Sequence, residues 1–118
     1  MAGDAYDTVQ RFWRTQDEGD YTKLVDLFTD DAVAEDGNVG RFEGKEAIRG
    51  FMQQMADTLP QQGIRFEVLE IAGDDETAWA RWEAVFGDGR RVEGVGIYRV
   101  RDGKLSYYRD YFTPPTPA

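Results

Sequence analysis

The chain contains no cysteine and no histidine. The first absence removes disulfides and a thiol nucleophile, and leaves no redox cue to a compartment. The second removes the commonest transition-metal ligand and the commonest general base together. Basic residues are also scarce: 14 Lys and Arg stand against 23 Asp and Glu, a net charge of −9 in 118 residues. A surface that acidic repels phosphate backbones and anionic lipid, so neither nucleic acid nor a membrane is expected as a partner. No apolar run is long enough to span a bilayer. The start, Met-Ala-Gly-Asp-Ala-Tyr-Asp, has neither a basic nor an apolar segment of the secretory kind, and the cytoplasm is the expected location.

What is present suffices for one core. Hydrophobic residues make up 41% and aromatics 14%, enough to bury a single domain, placed at 1–112, ahead of a loose Pro-rich tail at 113–118. Tyr6, Val9, Phe12 and Trp13 follow helical spacing between Asp4 and Gln16. Asp20 suits the N-cap of a second helix carrying Leu24, Val25, Leu27 and Phe28. Ala32 to Glu35 reads as a short strand before the turn-rich stretch 36–40, and Lys45 to Leu59 as a third helix stopped by Pro60. After Gly63 the apolar period drops to about two. Strands are expected at 64–71, 77–86, 90–101 and 104–112, joined by Gly73-Asp74-Asp75, Gly87-Asp88-Gly89 and the hairpin signal Asp102-Gly103. Helices first and a strand meander after them give an α+β fold, three N-terminal helices on a mainly antiparallel sheet. The second strand is apolar on both faces, Trp79 and Val85 on one and Ala80, Trp82 and Phe86 on the other. Both faces therefore need cover, and a homodimer through the sheet is expected.

Several sharp motifs fail on inspection. Gly40-Arg-Phe-Glu-Gly44-Lys45 is one residue short of a phosphate loop, and Gly94-Val-Gly96 lacks a third glycine and sits inside a strand. Asp36-Gly37 lacks the upstream acids of a calcium loop, and there is no Gly-x-Ser-x-Gly elbow. No metal and no cofactor is expected.

The run Gly19-Asp20 to Leu24, Leu27-Phe28-Thr-Asp-Asp31-Ala32, Phe42-Glu-Gly44-Lys-Glu-Ala-Ile48, Gly103-Lys104-Leu105 and Arg109-Asp110-Tyr111-Phe112 resembles the SnoaL-like branch of the nuclear-transport-factor-2-like superfamily. The resemblance spans about Tyr6 to Phe112. It implies a curved sheet, a cone-shaped pocket for a small hydrophobic molecule, and frequent dimerisation; its function is open, because the fold hosts epoxide hydrolases, polyketide cyclases, isomerases and non-catalytic binders.

Three constellations follow. Arg81 and Glu83 share one face of a strand by the period-two rule. With Asp110 they are similar to the arginine and two carboxylates of limonene-epoxide hydrolases, which implies an acid, a base and an orienting arginine for epoxide opening by water or an internal hydroxyl. The alternative without catalysis is a structural ion pair at a pocket rim. Asp36 aligns with the proton-shuttling aspartate of ketosteroid isomerase. That enzyme's oxyanion-hole tyrosine becomes Phe12, however, and its protonated aspartate falls near Gly96, so steroid-type isomerisation lacks its donors. Asp36 is left as a lone base for a cyclisation or dehydration, or as a turn aspartate before Gly37. Among the aromatics, Phe12, Trp79, Tyr98, Tyr108 and Phe112 are the candidate pocket residues. Trp79 and Tyr108 lead because they share strand faces with Arg81/Glu83 and Asp110. The leading expectation is a cofactor-independent acid–base enzyme; a cyclase or isomerase on Asp36 and a non-catalytic binding or dimerisation module are the alternatives.

Overall fold

In the computed structural model, residues 3–36 and 40–112 are described. The tail expected at 113–118 and the turn residues 37–39 lie outside them. The elements run α1 (Asp4–Asp17), α2 (Tyr21–Leu24), a 3-10 turn (Val25–Leu27), β1 (Phe28–Asp36), β2 (Gly40–Glu43), α3 (Lys45–Thr58), β3 (Arg65–Gly73), β4 (Thr77–Val85), β5 (Arg91–Arg101) and β6 (Lys104–Phe112).

Local chemistry explains the helices. Asp4 and Asp7 place negative charge at the start of α1 and Arg14 places positive charge at its end, both favourable to the helix dipole. Of the first free N–H groups, that of Asp4 donates to Asp75 Oδ1 and those of Ala5 and Tyr6 to the Asp74 carbonyl, in the turn between β3 and β4, which pins the helix to the sheet. Asp20 caps α2 as expected, accepting from the Lys23 N–H. The second helix is shorter than its apolar spacing suggested. Phe28 leaves it to begin β1, where it is fully buried.

The six strands form one sheet in the order β2-β1-β6-β5-β4-β3. All neighbours are antiparallel except β1 and β6, which run parallel. Register shifts at Phe28/Val33, Val68/Glu70 and Arg99/Val100 are of the kind that bends strands. Asp102 and Gly103 take φ of 54° and 75°, the left-handed pair that a tight β5–β6 hairpin requires.

The inner face carries Ala78, Ala80, Trp82 and Ala84 of β4, all buried against the helices. Trp79, Arg81 and Glu83 therefore lie on the outer face, away from the core. This corrects the expectation that Arg81, Glu83 and Trp79 face the cone. The physical reason is packing: the alanines let α1 approach the sheet closely, and the charged set stays in water, where each member finds a partner. Arg81 pairs with Glu70 at 3.4 Å and Glu93 at 3.1 Å, and Glu83 pairs with Arg91 at 3.2 Å.

Candidate functional site

Cross-strand register stacks the inner face in layers. The lowest joins Ala78, Tyr98, Tyr108 and Ala34, the next Ala80, Gly96, Asp110 and Asp36, and the third Trp82, Gly94 and Phe112. Phe12 of α1 presses on the lowest layer, with ring centroids 5.8 Å from those of both Tyr98 and Tyr108. Trp13 donates from Nε1 to the Tyr98 hydroxyl at 3.2 Å. Phe12 and Tyr98 thus form a closed floor, buried to 2% and 0%, and do not line the space above it.

Above that floor is a cavity of about 350 Å³ between the sheet and α3. That volume lies within the range of small-molecule sites, roughly 300–1,000 Å³. Phe51 and Met55 of α3 and Leu59 just after it form one wall; Phe66, Trp82, Val92 and Phe112 form the other; Gln54, Thr58 and Gln62 stand along it. At the floor end lie Trp13, Gln16, Tyr108, Asp110 and Asp36. Of the candidates named from the amino-acid sequence, Asp36, Asp110, Tyr108 and Phe112 come together here. Arg81, Glu83 and Trp79 do not, and Phe12 and Tyr98 act from beneath.

Asp110 is the central group. It is one of few buried polar residues, 8% exposed, on the inner face of β6. The Trp82 indole donates to its Oδ1 at 3.1 Å, and the Tyr108 hydroxyl donates to its Oδ2. Burial pushes its carboxyl well above the usual carboxylate range, the Asp36 charge adds to the rise, and the Trp82 N–H opposes it. Burial likewise raises the Tyr98 hydroxyl well above its ordinary value, with the Asp110 charge acting in the same direction. Asp36 is Asp110's in-register neighbour on β1, half-buried and on the cavity wall. The cavity floor therefore holds two carboxyl groups in unlike settings, one driven toward the neutral acid and one nearer solvent, the arrangement that lets an acid and a base coexist.

Trp82 and Gln16 were missed from the sequence. The signal for Trp82 lay in Gly94-x-Gly96, dismissed as a nucleotide motif. A side chain at Gly94 would collide with the Trp82 ring, and one at Gly96 would come within 2.5 Å of the Tyr98 hydroxyl and 2.9 Å of Asp110 Oδ1. The two glycines clear the groove in which Trp82 and Tyr98 lie beside Asp110. Gly94→Ala is accordingly expected to cost about 1–3 kcal/mol by overpacking, read as a lower urea midpoint together with a shift in tryptophan emission; an unchanged midpoint would refute the close fit.

Among the described residues no group of three or more Asp and Glu is disposed to hold a metal ion, and no helix is long and apolar enough to cross a membrane.

Compared with known proteins, residues 9–108 match the SnoaL-like domain family. The chain is 24% identical to the uncharacterized protein YesE of Bacillus subtilis (strain 168), over 93% of this chain and 82% of that one. Among solved structures it is similar to an NTF2-like protein of unknown function from Mesorhizobium loti, with a TM-score of 0.79, 24% identity, and coverage of 93% and 91% of the two chains. It is also similar to a candidate ketosteroid isomerase from Kribbella flavida DSM 17836, with a TM-score of 0.78, 20% identity, and coverage of 98% and 84%. Structural likeness at these identities establishes a shared fold and leaves the reaction to be argued from the site.

Proposed function

The chain belongs to the SnoaL-like domain family, and from that premise we propose that it is a cofactor-independent acid–base enzyme acting on a small apolar carbonyl compound. Asp36 removes a proton beside the carbonyl. Asp110, protonated, donates a hydrogen bond to the oxygen on which the enolate charge develops. Asp36 then returns the proton to another carbon, or the enolate carbon closes onto a second carbonyl, whose π bond opens and whose oxygen takes the proton from Asp36. The first course is an isomerisation and the second a cyclisation, and neither needs an outside oxidant or reductant.

The observation that supports this reading is the pairing of Asp36 and Asp110 in one layer above an apolar cavity. It answers the objection raised by Phe12. The missing oxyanion donor is supplied from β6 by a carboxyl whose burial favours the protonated form. Epoxide opening stays within reach of the same pair, with Asp36 in place of Glu83 as the group that activates water. An orienting arginine has no part in it, because Arg81 is held on the outer face by Glu70 and Glu93.

A β,γ-unsaturated ketone small enough for the cavity tests the proposal, its conversion followed by the absorbance of the conjugated product and by deuterium uptake from heavy water. Arg81→Ala and Glu83→Gln are expected to retain activity within about twofold, as exposed substitutions do. A loss of a hundredfold in either would return the site to the outer face.

We also propose that the outer face of the sheet pairs with a second copy of the chain. Leu69, Trp79 and Tyr111 are large, apolar and exposed, at 42%, 38% and 47%. The arginines and glutamates between them carry both signs, so the face is self-complementary under a two-fold axis. Sedimentation should give a dimer mass for the wild type and a monomer for Trp79→Glu; a monomeric wild type at micromolar concentration sinks this assignment.

A further inference from the structure

The described lining of the cavity carries aromatic rings and carboxyl groups but no cationic side chain. Trp13, Phe51, Trp82, Tyr108 and Phe112 line it with Asp36 and Asp110, and no Lys or Arg is among the described lining residues. The residues outside the described ranges, 1–2, 37–39 and 113–118, include no Lys or Arg either. The arginines of β4 and β5 turn to the outer face, where Arg81 and Arg91 are engaged by glutamates. The whole chain carries −9, which raises the local concentration of cations and lowers that of anions.

We infer that this cavity selects its ligands by charge, taking apolar molecules that carry a cationic nitrogen and rejecting carboxylates and phosphate esters. An anion in this space would meet the charge of Asp36 with no Lys or Arg among the described lining residues to offset it, its one acidic donor being the Asp110 carboxyl, and it would lose its hydration to rings whose faces are negative. A cationic nitrogen meets the same ring faces and the same carboxyl groups favourably, and an ammonium bound to alkyl or aryl groups also fills the apolar walls. The apolar cavity alone would bind by shape; the coincidence of rings and carboxyls at its closed end adds a preference for charge. The ionisable groups facing Asp110 are Asp36 from β1, Tyr98 from β5 and Tyr108 on β6 itself. The lining residues of α1, α3 and β4 bring none. Binding of a fixed cation thus favours the ionised form of Asp110, releases its proton, and tightens as pH rises.

The inference rests on the preceding proposal only in treating the cavity as the ligand site. The test compares benzyltrimethylammonium, whose charge cannot titrate, with its uncharged isostere neopentylbenzene and with phenylacetate, by tryptophan fluorescence and calorimetry on the full chain. The cation is expected to bind roughly tenfold more tightly than the isostere, a factor consistent with a desolvated cation–π contact, and phenylacetate is expected not to bind. Cation affinity should rise with pH above the ordinary carboxylate range in the wild type and stay level in Asp110→Asn. Asp36→Asn should narrow the gap between cation and isostere. Equal or tighter binding of the isostere overturns the charge selection and leaves the acid–base proposal standing. Failure of both the cation and the isostere to bind overturns the cavity as a ligand site and takes both proposals with it.

Discussion

Asp36→Asn is expected to lower turnover of the β,γ-unsaturated ketone by roughly 10²–10⁴-fold, the range carried by a positioned general base. The substitution keeps the shape of the side chain and its place beside Asp110 in register, but an amide accepts no proton at neutral pH. Ground-state binding should change little, so the loss belongs in kcat. Asp110→Asn is expected to behave differently. Its amide still offers an N–H toward the substrate oxygen, so part of the oxyanion stabilisation survives and the loss should be smaller. The pH profile separates the two roles. In the wild type the rate declines on the alkaline side as Asp110, held protonated by burial and by the charge of Asp36, gives up its proton. That decline should vanish in Asp110→Asn and persist, at a far lower rate, in Asp36→Asn. Asp36→Asn turning over within threefold of the wild type, at unchanged fold, refutes the base assignment.

The fold was legible in the chain because its punctuation is strong. Asp20 as a cap, Asp102-Gly103 as a hairpin and Pro60 after α3 all act through local backbone chemistry that no tertiary contact has to supply. The parallel join of β1 to β6 was not legible, since it depends on two segments about seventy residues apart finding register. The site divides in the same way. Alternation along β4 correctly separated Trp79, Arg81 and Glu83 from Ala80, Trp82 and Ala84, yet alternation gives two faces without saying which is inside. Similarity to an arginine-carboxylate motif pointed to the charged face. Burial decided for the alanines, because a charged arginine under α1 would have required desolvation that water on the outer face makes unnecessary. On β6 the same rule worked, since Tyr108 and Asp110 do face inward while Tyr111 is exposed. Asp36 and Asp110 were each picked out singly, for separate reactions. That they form one pair follows only from the register of β1 on β6.

That pair also sets how stability should depend on pH, and Asp110→Asn is expected to be the more stable protein at pH 8. An aspartate in the unfolded chain ionises near pH 3.9. In the folded protein burial raises Asp110 well above that value, so between the two values the native state holds a proton that the unfolded state has released. The sign is then fixed: where the native state binds more protons, stability falls as pH rises, by up to about 1.4 kcal/mol per pH unit for one group. This contribution is complete below the unfolded value and is lost as pH climbs through the folded one. The carboxylates held by hydrogen-bond partners act in the opposite sense. Asp31, held low by Arg101, Glu35 by Tyr107, and Asp74 by the Thr77 and Glu76 N–H groups each contribute stability above the unfolded value, and lose it as pH falls. Wild-type stability should therefore peak in mild acid and slope downward as pH climbs toward the folded value of Asp110. Asp110→Asn should keep the acid-side loss and lack the alkaline slope, since its amide satisfies Trp82 without ever ionising. Urea unfolding of both proteins at half-unit steps from pH 4 to pH 9 measures the difference directly, and parallel slopes above pH 5 would show that Asp110 is ionised in the native state. The slope and the proposed chemistry have one origin: a carboxyl kept neutral by burial is an acid ready to donate, and the same burial makes the fold less stable wherever water would have taken its proton.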